Sequence, residues 1–465
     1  MPTHDIVIIG GGTAGLVTAA GAAALGARVA VVERERLGGD CLWTGCVPSK
    51  ALIAFARQRQ TLARRRREGS AGTWPEAVAW LRSAQQRIAP HDDPQRFRAM
   101  GVDVVFSRAR LAGAGRVKVQ DRTLAAKRIV IATGSSPTAP PIPGLEETGY
   151  LTHLTAFDQV TLPPRITMLG GGPIGLEFAQ TYARLGAKVT VLELLPEVLP
   201  NEDAEVGRYI REQLEAEGIV VRTGFRAATV AQEAGAKVVC DPAGERIAAD
   251  ELFAATGRRP NTADLDAEQA GIALDRGAVR VNARLETTQR GIWAAGDVTG
   301  RLQFTHVADY MARIVVQNAL TPLKTKADYR VVPWVTYTDP EVARVGLTEA
   351  EATAQGERVE VYRSDFVDLD RAIVDGATAG FAKIVTRRDG RILGATIVGR
   401  GAGELIMEIV LAMRFHIPLQ KLDGVIHPYP TMGEIVKRTA GTWYRQRYGD
   451  TNRGRLLRRL IRWWL

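Results

Sequence analysis

Cys41 and Cys46 are separated by four residues in the stretch Gly38-Gly39-Asp40-Cys41-Leu42-Trp43-Thr44-Gly45-Cys46-Val47-Pro48-Ser49-Lys50, and they are two of only three cysteines in the chain. Four intervening residues at the start of a helix let two thiols close into a small disulfide ring. The chemistry on offer is transfer of an electron pair. A free thiol has a pKa of about 8.5, and a helix N-terminus or a nearby cation lowers it toward the reactive thiolate. The alternatives are a zinc site or inert core thiols. Zinc needs two more ligands in suitable spacing, and the six histidines are scattered. Three cysteines are too few for a disulfide framework. Cys240 stands alone on a predicted strand and reads as a core residue.

A redox pair needs elements that bring electrons to it. Residues 5–33 read as a βαβ unit. Ile6-Val7-Ile8-Ile9 is a buried strand, Gly10-Gly11-Gly12-Thr13-Ala14-Gly15 is G-x-G-x-x-G, a small-residue helix runs to Gly26, and a second strand ends in Glu33. Such glycines permit a tight turn and close approach of a pyrophosphate to the helix N-terminal amides, and the acid can accept from a ribose hydroxyl. Strand, loop, helix and acid in this order make a specific signal. The pattern recurs. Ile166-Thr167-Met168-Leu169 precedes Gly170-Gly171-Gly172-Pro173-Ile174-Gly175, and Val189 to Leu192 lead into Glu193. Ala255-Thr256-Gly257 echoes Ala132-Thr133-Gly134. The duplication predicts two dinucleotide sites.

The 465 residues suggest about three domains. The formal net charge of +10 fits an acidic partner, anionic lipid or nucleic acid, or simply an arginine-rich proteome. Residues 57–110 are arginine-rich, with Arg64-Arg65-Arg66-Arg67 in a row, and read as a helical insertion with a solvated face. The helix after the cysteines is expected to begin near Ala51. Residues 137–143 hold four prolines and read as a linker. Ala294-Ala295-Gly296-Asp297 ends an apolar strand, where an Asp can bond a polyol chain. The N-terminus lacks a signal-peptide pattern and no apolar run spans a bilayer, so a cytoplasmic protein is expected.

Together these motifs resemble the FAD-dependent class I pyridine nucleotide-disulfide oxidoreductases, which include glutathione reductase, dihydrolipoamide dehydrogenase and mercuric reductase. The resemblance covers nearly the whole chain, and its most specific part is Gly38-Gly39-x-Cys41-x4-Cys46-x-Pro48-Ser49-Lys50. It implies an α/β fold with two Rossmann-like domains, for FAD and NAD, plus a C-terminal α+β dimerisation domain. The expected boundaries are 1–150 and 279–330 for the FAD domain, 151–278 for the NAD domain, 331–445 for the interface domain and 446–465 for a basic tail. It implies FAD binding by Gly10, Gly12, Gly15, Glu33, Thr133, Gly134 and Asp297, and nicotinamide-cofactor binding by Gly170, Gly172, Gly175 and Glu193. Cys46 is then the thiol against the flavin, forming the charge-transfer complex, and Cys41 the interchange thiol. Lys50 and Glu177 match the family's buried ion pair. A homodimer is implied, each subunit completing the other's site. No resident metal and no nucleic-acid partner are expected.

The far end of the chain departs from the pattern. Disulfide reductases carry a His-Glu dyad there, five residues apart. Here Glu434 is present, but the position five before it is Tyr429, and His427 matches a different place. Tyrosine titrates near 10 against about 6.5 for histidine, which makes Tyr429 a poor general base. A tyrosine at this place resembles the mercuric-reductase branch, yet no cysteine follows Cys240, so the C-terminal vicinal pair of that branch is missing. The expectation is an enzyme that passes electrons from NADH through FAD and Cys41–Cys46 to a small disulfide, thiol-bound or soft-metal acceptor. The alternatives are a dihydrolipoamide dehydrogenase-type enzyme or a donor to a protein or membrane partner. Glu193 suits a ribose 2′-hydroxyl and repels a 2′-phosphate, and Leu194 and Leu195 follow it with no arginine, so NADH is expected over NADPH. In residues 454–465, Leu456, Leu457, Leu460, Ile461 and Trp464 form one helical stripe with arginines mostly opposite. Such a tail suits either a membrane surface or packing on the protein's own surface or its dimer mate.

Overall fold

The computed structural model describes residues 2–66, 73–113, 115–449 and 451–465, without the side chains of 62–66. The Arg64–Arg67 run therefore lies outside the described side chains. The chain forms two compact units, the first of Met1–Gly170, Thr181–Leu194 and Phe225–Asp328, the second of Gly171–Gln180, Leu195–Gly224 and Tyr329–Leu465.

In the first unit, β1 (His4–Ile9), α1 (Thr13–Ala24) and β2 (Val29–Glu33) form the opening βαβ. α2 (Gly39–Trp43), α3 (Cys46–Arg66) and α4 (Trp74–Ile88) follow. α3 begins at Cys46, five residues before the expected Ala51. Pro48 does not delay it, because a first-turn amide has no intrahelical partner to lose. Strands β3 (Val102–Phe106), β4 (Ala109–Leu111), β5 (Arg116–Val119) and β6 (Arg122–Ile131) complete one sheet in the order β3-β2-β1-β6-β5-β4. β1 lies parallel to β2, with Ile6 opposite Val29, and to β6, with Ile6 opposite Arg128. The central strands read as continuous apolar runs because they are covered on both faces. Val7, Ile9, Val32, Ile129 and Ile131 belong to one buried cluster.

β7 (Ser135–Pro137) starts the proline-rich stretch, and Ala139 and Ile142 beyond it pack against a second core with Leu169, Leu192 and Leu252. The expected linker is thus a packed connection. β8 (Arg165–Leu169), α5 (Pro173–Arg184) and β9 (Lys188–Leu192) repeat the opening pattern. β10 (Thr229–Glu233), β11 (Ala236–Cys240) and β12 (Arg246–Ala249) form an antiparallel sheet. Cys240 ends β11 half-buried, opposite Thr229 and Arg246; Val238 and Val239 fill the core position expected for it. β13 (Glu251–Ala254) lies parallel to β8, β14 (Arg258–Pro260) pairs with β7, and β15 (Ile292–Ala294) pairs with β6. Helix α6 (Thr305–Leu320) closes the unit.

The second unit is built on a five-stranded antiparallel sheet. β16 (Pro333–Thr336), β17 (Glu341–Gly346), β18 (Val359–Asp365), β19 (Phe381–Arg387) and β20 (Ile392–Gly399) take the order β16-β17-β20-β19-β18. α7 (Ala402–Arg414) and α8 (Glu434–Tyr448) bury Ile406, Ile409, Ile435 and Val436 against Ile384, Ala395 and Ile397. α9 (Asn452–Trp464) is the last element.

Candidate active site

The two glycine loops share one local geometry, and it explains why Ala-Thr-Gly recurs with them. Gly10 sits at φ +110°, and a Cβ added there would lie 2.2 Å from the Ala132 carbonyl oxygen. Gly170 sits at φ +109°, with a Cβ 2.7 Å from the Ala255 carbonyl oxygen. Each loop must therefore pass a second strand end with no side chain and a left-handed residue. The strand ends are tied alike. Ala132 N–H donates to Ile9 at 2.8 Å and Ala255 N–H to Leu169 at 2.9 Å.

Gly12 caps α1. A Cβ there meets nothing nearer than Gly39 Cα at 3.8 Å, so it would project into open space at the helix N-terminus. Glu33 is preoriented: its carboxylate accepts the Gly11 N–H at 2.7 Å and the Glu35 N–H at 2.9 Å. Gly15 lies in the first turn of α1, and Gly172 and Gly175 lie at the corresponding start of α5. Glu193 is buried just past β9, while Leu194 and Leu195 are exposed. Thr133 donates its hydroxyl to the Asn261 carbonyl at 2.7 Å, and Gly134 accepts the Asn261 N–H at 3.0 Å. The cradle at Gly12, the helix amides and the oriented carboxylate fit a pyrophosphate and a ribose.

Cys41 lies in α2 and Cys46 is the first residue of α3. Cys46 is exposed and Cys41 half-buried, and no disulfide joins them in this structure. The Cys46 sulfur lies 3.4 Å from Thr305 Oγ1, at the start of α6. The Cys41 thiol is pushed well above its usual range, first by its hydrogen bond to Cys46, then by burial. The hydrogen bond and burial both disfavour a thiolate at Cys41. The exposed Cys46 lies at the start of α3, where helix amides favour negative charge.

The loop carrying the pair is braced from distant parts of the chain. The buried Gln85 of α4 donates to the carbonyls of Leu42 at 3.0 Å and Trp43 at 2.9 Å. Trp43 donates its indole N–H to Leu37 O at 2.7 Å. Asp40, beside Cys41, receives Thr44 Oγ1 and Arg258 Nη2 and lies 3.2 Å from His153 Nε2. Arg258 also donates to Ser135 Oγ at 2.8 Å and to Ser135 O at 3.0 Å, and its Nη1 lies 2.8 Å from His153 Nε2. Ser135 in turn donates to Asp297 at 2.7 Å. Burial works to raise the Asp40 pKa, but His153 and Arg258 hold it well below the usual carboxylate range. Asp297 is pushed up by burial, against the pull of Ser135 and Arg258.

These braces escaped the sequence reading. Asp40 adjoins Cys41 and Arg258 follows the second Ala-Thr-Gly, but nothing local says that they meet. Gln85 and Thr305 carried no signal at all.

The remaining expected residues lie as follows. Lys50 is half-buried on α3 in the first unit. Glu177 is buried on α5 and accepts the Tyr337 N–H at 2.9 Å within the second unit. Tyr429 is exposed and donates its hydroxyl to Asp370 at 2.9 Å, which raises its pKa. Glu434 accepts the Thr431 N–H at 3.4 Å. Tyr429 and Glu434 are thus engaged by different partners. His427 is bonded elsewhere, with Nδ1 3.0 Å from Val425 O and Nε2 3.1 Å from Glu408.

The family described as pyridine nucleotide-disulphide oxidoreductase matches residues 4–312, and its dimerisation domain matches residues 332–440. The chain is 34% identical to a mercuric reductase of Lysinibacillus sphaericus over 453 residues, 95% of this chain and 82% of that one. It is 34% identical to a dihydrolipoyl dehydrogenase of Thermus scotoductus over 472 residues, 97% of this chain and 100% of that one. Among solved structures, the Cu(II) complex of the HOCl-induced flavoprotein disulfide reductase RclA from Escherichia coli superimposes with a TM-score of 0.88 at 31% identity, covering 95% of this chain and 100% of that one.

Proposed function

Because the chain belongs to the pyridine nucleotide-disulphide oxidoreductase family, whose members use FAD and NAD(P)H, we propose that it is an NADH-dependent homodimer whose Cys41–Cys46 pair reduces a soft-metal ion. Bound FAD supplies hydride acceptance and electron relay; Gly10, Gly12, Gly15, Glu33, Thr133, Gly134 and Asp297 would hold it. Gly170, Gly172, Gly175 and Glu193 would hold NADH. Lys50 and Glu177 keep the charged roles that the resemblance implies. Cys41 meets the acceptor, and Cys46, steadied by Thr305, is the thiolate of the pair.

The observation that carries the choice of acceptor is Tyr429, whose hydroxyl is given to Asp370 and whose pKa is raised. Reducing a disulfide requires an acid to protonate the leaving thiolate, and a tyrosine held neutral by a carboxylate exchanges that proton poorly. Reducing a metal ion has no thiolate to protonate. The Cys41 thiol hydrogen leaves as a proton, the Cys46 thiolate has none to lose, the Cys41–Cys46 disulfide forms, and the two electrons released convert one Hg(II) to Hg(0) or two Cu(II) to two Cu(I). Kinship with a mercuric reductase and likeness to a reductase solved with Cu(II) support the same reading.

The test is single-turnover reoxidation of the NADH-reduced enzyme under nitrogen. Cu(II) or Hg(II) is expected to reoxidise it about a hundredfold faster than lipoamide or glutathione disulfide, the size of a missing acid-base step. Cys46→Ser is expected to abolish the long-wavelength absorbance of the reduced form and the metal reaction together. Equal rates with lipoamide, or a surviving band in the variant, would overturn the assignment.

A further inference from the structure

Helix α9 holds none of the residues expected to carry electrons, yet it is built as a surface. Thr451 caps it by accepting the Gly454 N–H at 3.1 Å. Gly454 presses on the end of α8 so closely that a Cβ there would lie 2.1 Å from the Tyr448 carbonyl oxygen. That contact fixes the point where the helix leaves the second unit. Beyond it, at about 100° per residue, Leu456, Leu457, Leu460, Ile461, Trp463 and Trp464 fall within an arc of about 160°, with Arg455, Arg458, Arg459 and Arg462 in the opposite arc; Arg453, in the first turn, falls on the apolar side. The apolar face is uncovered: exposure runs from 43% at Leu457 to 83% at Trp464. The chain's own surface therefore does not bury it.

Charge selects the occupant. Residues 451–465 carry five arginines and no acid, on a chain of net charge +10. A second copy laid on the apolar arc leaves the arginines of both helices without an opposite charge. A bilayer with anionic headgroups complements both faces at once, taking the apolar arc at the acyl boundary and the arginines at its phosphates. Arg458 and Arg459 flank the apolar arc, where a long side chain can reach outward while its stem stays apolar. Trp463 and Trp464 have the amphipathic rings that settle at headgroup depth. No described helix is long and apolar enough to cross a membrane, so the contact is with one leaflet.

We propose that α9 docks this protein on an anionic phospholipid surface. The experiment uses the full-length, FAD-loaded protein and phosphatidylcholine vesicles with or without about one-third phosphatidylglycerol. Co-sedimentation is expected with the anionic vesicles alone, with a blue shift of tryptophan emission, and it should weaken steeply as salt rises from about 0.1 M to 0.5 M. Arg459→Ser with Arg462→Ser should weaken binding about 30-fold, roughly fivefold per arginine. Leu460→Glu with Ile461→Glu should abolish it while leaving the gel-filtration volume unchanged. No binding to anionic vesicles, equal binding to neutral ones, or wild-type binding by either double variant overturns the proposal. So does a smaller particle in the Leu460→Glu, Ile461→Glu variant, which would assign the face to a second copy.

Discussion

Replacing Arg258 by Met tests whether the redox loop is held by charge from a distant strand. Arg258 is 15% exposed and Asp40 32%. Taking one partner from a buried pair costs about 3–5 kcal/mol, because the other charge is left uncompensated. Asp40 sits at the edge of solvent and keeps Thr44 and His153, so we expect less than that, about 2–3 kcal/mol, for Arg258→Met. Asp40→Asn, which leaves a neutral acceptor in place, should cost about 1–2 kcal/mol. The double variant should cost less than the sum by about 1–2 kcal/mol, the range found for residues in one network. The assay is urea unfolding of the FAD-loaded protein, followed by flavin fluorescence and circular dichroism. The pH dependence has a definite sign. The Asp40 carboxyl is depressed in the folded state, so its contribution is present above its unfolded value of about 3.9 and lost as pH falls below it. The difference between wild type and Arg258→Met should therefore be flat from about pH 5 to 8 and shrink below about 4. A second readout touches the chemistry. The Asp40 charge is one of the influences that raise the Cys41 thiol, so Asp40→Asn should speed alkylation of Cys41 in the reduced protein. Additivity of the two substitutions within about 0.5 kcal/mol, together with unchanged alkylation, would refute the clamp.

Two further outcomes follow from the same geometry. Tyr429→His should add an ionisation near pH 6.5 to the rate of disulfide reduction and raise that rate by about a hundredfold, whereas Tyr429→Phe should change metal reduction little; a wild-type profile already showing that ionisation would contradict the assignment. Glu193 should favour NADH in kcat/KM, and Glu193→Ser combined with Leu194→Arg should move the ratio toward NADPH by at least about tenfold, as a carboxylate is exchanged for a phosphate-binding guanidinium; equal or better kcat/KM of the wild type with NADPH would sink the cofactor reading.

Much of the fold was legible because its determinants are local. The run Ile6 to Ile9, the glycine loop after it and Glu33 fall within one βαβ unit, and each constrains its neighbours through strand period, helix start and φ sign. The recurrence at Ile166 to Glu193 doubled the signal. The echo of Ala132-Thr133-Gly134 in Ala255-Thr256-Gly257 was visible, but its cause was not: each alanine carbonyl is what the first loop glycine must pass. The errors were local too. The helix expected near Ala51 starts at Cys46, since Pro48 enters its first turn without penalty, and the proline-rich stretch 137–143 expected as a linker carries the packed Ile142.

The site divides along the same line. Cys41 and Cys46 lie within a few residues of each other, so their nearness could be read from spacing. Their bracing could not, because it joins Asp40 to His153 across 113 residues and to Arg258 across 218. Sequence separation hides such contacts, while their physical need is plain once they are seen. A carboxylate beside a half-buried thiol would raise that thiol and repel its thiolate unless a cation answered it. Arg258 answers Asp40 and, through Ser135, also engages Asp297, the carboxylate expected at the flavin's polyol. One guanidinium thus links the cysteine loop to the expected cofactor edge. The position of Cys41 relative to that edge is therefore set by β14, not by the α2 loop alone.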